Sequence, residues 1–198
     1  GLESFVIFGS RDAYLEKSTT FSGNVGSNDT LTVAKESMVN GNLVANTIEL
    51  HKEVTVNGNV SANILKLQRD ESILGTTATS VSLPIATLPT IPDFEAGKTD
   101  IRASATTTIP AGKYRDITIE KGVLVILSGG AYAMETLAAL PDAKLLFTAT
   151  TTFFIKKKLI FHDHVVMATL PQMPLEAVHV FVSGNEPVVI GNRAVLFG

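Results

Sequence analysis

The chain has 198 residues, with 16 Lys and Arg against 19 Asp and Glu and a formal net charge of −3, a balance too acidic for affinity built on phosphate neutralisation. Hydrophobic residues make up 45% and charged residues 18%, enough to form a core and too little charge for a disordered chain. The absence of Cys excludes a disulfide framework, a thiolate metal site and a Cys nucleophile. No apolar run approaches the roughly 18 residues of a membrane helix.

The chain opens on Gly1 without a basic-then-apolar leader, as a mature, processed product or a cut fragment would. From residue 18 to 84 a repeat dominates. Gly23-Asn24-Val25, Gly41-Asn42-Leu43 and Gly58-Asn59-Val60 recur, Gly75-Thr76-Thr77 fills the fourth slot, and the glycines are spaced 18, 17 and 17 residues apart. Two residues before each Gly stand Phe21, Val39, Val56 and Ile73; two after stand Val25, Leu43, Val60 and Thr77. Apolar pairs follow in step at Leu31/Val33, Ile48/Leu50, Leu65/Leu67 and Val81/Leu83, and charged pairs Lys35-Glu36, Lys52-Glu53 and Arg69-Asp70 close three of the repeats. A unit of about 17 residues with short alternating stretches cannot bury its apolar face alone, but stacked copies bury a continuous core. The pattern therefore predicts an all-β parallel β-helix, a β-solenoid expected to be right-handed, with coils of about 17–21 residues. Gly23, Gly41, Gly58 and Gly75 are expected at tight corners open to positive φ. Asn24, Asn42 and Asn59 are expected to tolerate the left-handed region and bond their own backbone.

Pro84, Pro89 and Pro92 interrupt the pattern. Proline cannot donate to a ladder, so 84–100 reads as an extended crossing segment that runs along the solenoid or links its parts. A looser repeat resumes over 101–198, with corners at Glu120-Lys121-Gly122, Pro141-Asp142-Ala143, His162-Asp163-His164 and Gly191-Asn192-Arg193, each between apolar stretches. The first three corners are 21 residues apart and the last gap is 29, the surplus falling on a protruding loop at Pro171–Pro174. Ala131–Leu140 has a helical composition but sits in the β register, which favours a strand. The organisation expected is one solenoid domain over 1–198: a short-coil part (1–83), the crossing segment (84–100) and a wider-coil part (101–198), with further coils anticipated beyond Gly198.

The opening FVIFGSRDAYLEKSTTFSGNVGSNDTLTV and the later IPAGKYRDITIEKGVLVILSGGAYAMETLAALPDAKLLF resemble a group of secreted bacterial β-solenoid surface proteins. The coils are also similar, more weakly, to those of bactofilins, which polymerise end to end. The resemblance implies a solenoid at the cell surface or outside the cell; it implies no particular activity, because the shared residues build coils.

Both chain ends are apolar, Phe5–Phe8 at the start and Val188–Phe197 at the finish. Solenoids normally carry polar caps. Uncapped apolar ends predict end-to-end stacking into a filament or surface layer. Among chemical signals, His162, Asp163 and His164 form the densest group of metal-ligand types, but they share a corner position with polar turns, which is the more economical reading. His51 and His179 are isolated. Acidic residues are scattered without a paired-carboxylate face of the kind polysaccharide-cleaving β-helices need, although Glu120 and Lys121 are placed to stack near Asp142 and Asp163. Lys156–Lys158 is expected to lie on a solvated strand edge. Thr106–Thr108 and Thr150–Thr152 do not recur at the coil period, so a regular ice-binding Thr array is not expected. The sequons at Asn28 and Asn59 are short enough to arise by chance. The expectation is a non-enzymatic, extracellular structural or adhesive solenoid with no catalytic residue, cofactor or nucleic-acid partner. Its contacts would be a homo-oligomer through the solenoid ends or a surface glycan, through loops at Pro84–Pro92 and Pro171–Pro174. The alternative is a carbohydrate-binding or polysaccharide-cleaving module of a larger secreted protein.

Overall fold

The computed structural model describes residues 2–87, 95–174 and 177–198; the Pro89 and Pro92 region falls outside them. The chain is a parallel β-solenoid of about eight turns, and every strand pairing among the described residues is parallel. Each complete turn contributes three stretches. The first two build a 14-stranded sheet and the third builds a separate nine-stranded sheet. Four long strands, Gly130–Ala139, Thr151–Phe161, Leu43–Leu50 and Val60–Leu67, carry both stretches of the first sheet without a break. The segment with helical composition is thus strand, because its Tyr132, Met134, Leu137 and Ala139 alternate into the core. Parallel strands stacked about 4.8 Å apart bring like side chains into files. One file runs Val125, Leu145, Met167, Leu196, Phe21, Val39, Val56 and Ile73. The wider turns add rings to the aliphatic interior. Tyr132, Phe147, Phe153 and Phe161 are fully buried, with Tyr132 and Phe153 centroids 5.0 Å apart. Burial pushes the Tyr132 phenol above its ordinary pKa, and its hydroxyl donates to the Ile109 carbonyl at 2.7 Å.

The order of turns along the rod is not the order of the sequence. The rod begins at Ile101–Ala103, proceeds through the wider turns to Val178–Val182, and continues directly into Ile7–Gly9 and the short turns. Ile7 pairs with Val180 on one side and Val25 on the other. Val195, Leu196 and Phe197 pair with Thr20, Phe21 and Ser22, and Ala13–Leu15 with Val188–Ile190. Backbone bonds such as Val180 N to Val6 O (2.7 Å) and Thr20 N to Ala194 O (2.9 Å) stitch the seam. The two apolar chain ends are therefore not the ends of the solenoid. Each satisfies the other's open edge at mid-rod, and the position where a further coil was anticipated is filled by the first turn of the chain.

Such an arrangement requires a return path from the last turn to the first, and the described part of the Pro-rich segment takes it. The fourth repeat leaves the stack after Thr77–Ala78, so Val81 and Leu83 do not continue the core files. Instead Asn63 clamps Val81, accepting its N–H at 2.7 Å and donating to its carbonyl at 3.0 Å. Two turns back, Asn28 clamps Ala86 in the same way, at 3.2 and 2.8 Å. Ile85 and Ala86 then cover a small outer core of Phe5, Phe8 and Phe181, placed where the chain ends meet. At the far end Gly97 rejoins the ladder through its N–H to the Tyr114 carbonyl at 2.8 Å. Asn28→Ala removes both anchoring bonds of one clamp at a partly buried site. It is expected to cost about 1–3 kcal/mol and to speed proteolytic nicking of the return segment; unchanged nicking and unchanged urea midpoint would count against the clamp.

Candidate functional site

One corner of the solenoid carries the His162-Asp163-His164 group. Eight successive turns place a left-handed residue there, in rod order Gly122, Asp142, His164, Arg193, Ser18, Glu36, Glu53 and Asp70, with φ between 55° and 70°. Non-glycine residues adopt this conformation at about 1–2 kcal/mol each. Here each bent peptide is bonded to the next turn: Asp142 N to Asp163 O at 3.0 Å, His164 N to Asn192 O at 2.9 Å, Arg193 N to Lys17 O at 2.9 Å. The corner predicted from the charged pairs and the corner predicted from the wider repeat are thus the same structural position. The His residues lie in a turn and not on a strand. Asp163 Oδ1 accepts from Asn192 N at 3.0 Å and Nδ2 at 3.1 Å, and His164 Nδ1 lies 3.4 Å from Asp142 Oδ1 on an exposed surface. No group of three or more metal-ligand side chains occurs among the described residues. Glu120 lies beside this corner, engaged by Arg102, and the turn-to-turn register aligns it with Leu140 and His162, not with Asp142 or Asp163.

The Gly-Asn file works differently from its expectation. Of its four glycines, Gly23 alone has positive φ (129°). Gly41, Gly58 and Gly75 are required instead by proximity: a Cβ on each would overlap the carbonyl of the glycine one turn below. The asparagines bond the neighbouring turn and not their own backbone. Asn24 Oδ1 accepts Asn42 N, Asn42 Oδ1 accepts Asn59 N and Asn59 Oδ1 accepts Thr76 N, at 2.8, 2.8 and 2.9 Å. A second amide ladder joins Asn57 to Asn40 at 2.6 Å and a third joins Asn63 to Asn46 at 3.0 Å. Of the two sequon asparagines, Asn28 bonds Ala86 of the return segment through both amide atoms, and Asn59 accepts from Thr76 through Oδ1.

Other sequence signals separate in space. Thr107–Ile109 lies on the nine-stranded sheet and Thr151–Phe161 on the other, so the two Thr runs do not combine. Lys156–Lys158 belongs to a strand with neighbours on both sides, but the run falls at the irregularity after Met134 and between the partners 178–182 and 189–190, so only Lys158 has a strand partner, Thr136, and Lys156 and Lys157 are exposed. Lys157 and Lys158 pair with Glu135 and Glu186, at 2.5 and 3.3 Å. His179 Nδ1 lies 2.9 Å from the Phe5 carbonyl at the seam. Met173 of the Pro171–Pro174 loop packs against the core while the prolines are exposed.

The outer surface of the nine-stranded sheet is the most distinctive surface. Its strands run in rod order from Thr107–Ile109 through Leu124–Leu127, Lys144–Phe147, Val166–Thr169, Val195–Phe197, Thr20–Ser22, Met38–Asn40 and Thr55–Val56 to Ser72–Ile73. The register aligns two outward files. One holds Leu124, Lys144, Val166, Val195, Thr20, Met38, Thr55 and Ser72; in the other, Ile126, Leu146, Ala168, Phe197, Ser22 and Asn40 are followed by Asn57. Lys144 is the single charged residue in these files, whereas the second stretch of the other sheet displays Arg102, Asp116, Lys158, Glu49 and Lys66. The wide half of the face is aliphatic and half-buried, the narrow half is uncharged and hydrogen-bonding, and Phe197 and Met38 near mid-rod are exposed by 41% and 43%. Sequence reasoning misses this surface because its two halves are far apart in the chain and join only across the seam.

Comparison with protein-family models, with curated proteins and with solved structures finds no match.

Proposed function

We propose that the protein is a non-enzymatic structural and adhesive solenoid, acting at the cell surface or outside the cell, that adheres through the outer face of its nine-stranded sheet. The observation that carries this reading is that face: ladder-stiffened and almost free of charge over nine strands. Contiguous exposed apolar surface of this kind marks interaction sites. Charged side chains elsewhere, many of them in exposed ion pairs, keep the rest of the surface hydrated. Aliphatic files beside Thr, Ser and Asn suit an extended, uncharged, hydrogen-bonding solid surface, because a rigid partner demands little ordering on contact. The resemblance to secreted surface solenoids supports the location.

The test is retention of the purified chain on insoluble neutral polysaccharides and on ice, with the two arms separating a glycan from a water lattice. Ala168→Lys and Asn40→Lys place charges on the face at exposed or half-exposed positions. Each is expected to reduce retention at least tenfold while leaving the circular dichroism spectrum unchanged. A chain retained on neither surface, or retained equally after both substitutions, refutes adhesion through this face.

A further inference from the structure

The true ends of the rod differ from each other. At the starting end the core is closed: Ala103, Ile109 and Tyr114 are exposed by only 4%, 2% and 9%. Tyr114 donates its hydroxyl to the Pro110 carbonyl at 2.6 Å. The surface there is polar and charged, with Lys98, Thr99, Asp100, Arg102 and Ser104 exposed. At the finishing end the core is open. Leu67 continues the file of Leu50, yet is 47% exposed where Leu50 is fully buried. Leu74 and Ile64, which continue the outward positions of Asn57 and Thr47 and not the core files, add apolar surface beside this opening, 70% and 51% exposed. Ser72–Ile73 pairs only with Thr55–Val56, and Thr77–Ala78 covers only Val60 and Ser61 of the last long strand. The outer edges of 64–67 and 72–73 therefore have no strand seated on them among the described residues.

From this contrast we infer that two copies of the chain join through the 60–83 end, related by a two-fold axis. The occupant is fixed by three observations. An open strand edge is completed by another strand. The seam at mid-rod already shows two separate stretches of this chain, 178–197 and 7–22, seated on each other by strand pairing and continued core files. The open end is the apolar one, and a second open end offers it both a matching apolar surface and an unpaired strand edge, with the charges of the rim, Arg69, Asp70 and the Lys66–Glu49 pair, left at its margin. Head-to-tail stacking is disfavoured because it would press the apolar residues of this end onto the Arg115–Asp100 and Arg102–Glu120 pairs, taking charges out of water. A self-complementary contact closes after two subunits, so the assembly is a dimer and not the filament expected from the apolar chain termini. The inference does not rest on adhesion by the sheet face, although Leu74 continues that face's outward file after Asn57; association in solution is read separately from retention on a solid.

Sedimentation equilibrium of the full chain across a hundredfold concentration range tests it. The expected result is a monomer–dimer equilibrium. Leu74→Glu, at a position too exposed to be needed for folding, raises the dissociation constant at least tenfold, and Arg102→Glu at the opposite end leaves it unchanged. A monomer at every concentration, an open-ended series of larger species, a dimer indifferent to Leu74→Glu, or a dimer lost on Arg102→Glu each overturns it.

Discussion

Gly41→Ala is expected to destabilise the protein by about 3 kcal/mol or more, the upper part of the range for overpacking a filled interior. The added methyl would overlap the Gly23 carbonyl one turn below. That obstacle is backbone, held on both flanks by Gly23 N to Asn40 O at 3.1 Å and Val25 N to Asn42 O at 3.0 Å, so relief requires opening the ladder. Gly122→Ala supplies the control. Its Cβ would meet nothing within 4 Å, and only its φ of 70° opposes a side chain, a cost of about 1–2 kcal/mol. Urea unfolding of both variants separates crowding from dihedral strain. Since a domain has only about 5–15 kcal/mol in total, the first variant is expected to lose a large share of its stability. Equal midpoints for the two would mean that the glycines are not stacked.

A chain permuted to begin at Glu95, run to Gly198, pass through a short Gly/Ser linker into Leu2 and end at Thr87 is expected to fold to the same solenoid. The junction already exists without a covalent bond: Gly198 N lies 3.3 Å from Ser22 O, and a Cβ on Gly198 would touch the Val6 side chain. Joining the termini makes sequence order and rod order coincide. It also removes the entropic cost of bringing two chain ends together, which grows only slowly with loop length, so the melting temperature is expected to fall little or to rise. The circular dichroism spectrum and melting curve decide it. An unfolded permutant would contradict the seam between 178–197 and 7–22.

Much of the fold is legible in the sequence for a physical reason: stacking forces each turn to repeat the chemistry of its neighbour. Phe21, Val39, Val56 and Ile73 occupy one file, and the corners at 142 and 164 are joined through Asp142 N to Asp163 O, as their spacing indicates. The order of the turns is not legible, for the same reason. Val180, Ile7 and Val25 are interchangeable aliphatics in one file, so nothing local says that the residue numbered 180 precedes the one numbered 7 along the rod. The Pro-rich segment signals a crossing, but its anchors, Asn28 and Asn63, read as ordinary members of the Asn repeat. Positive φ is expected of the four repeat glycines; Gly23 alone has it, and in the following turns it falls on Glu36, Glu53 and Asp70, because inter-turn bonding outweighs residue preference there. The charge-poor face depends on both halves being joined, and no window of the sequence contains it.

The seam has a last consequence for attachment. Leu2 and Gly198 both emerge at the waist of the rod, close to Val6. Partners fused to them would hang from the flank, like two threads tied to the middle of a bar. The bar would then lie crosswise to any longer polypeptide that carried it, with both tips unencumbered. A tensile load applied through the termini would part the central rung first and reach the outer turns only afterwards.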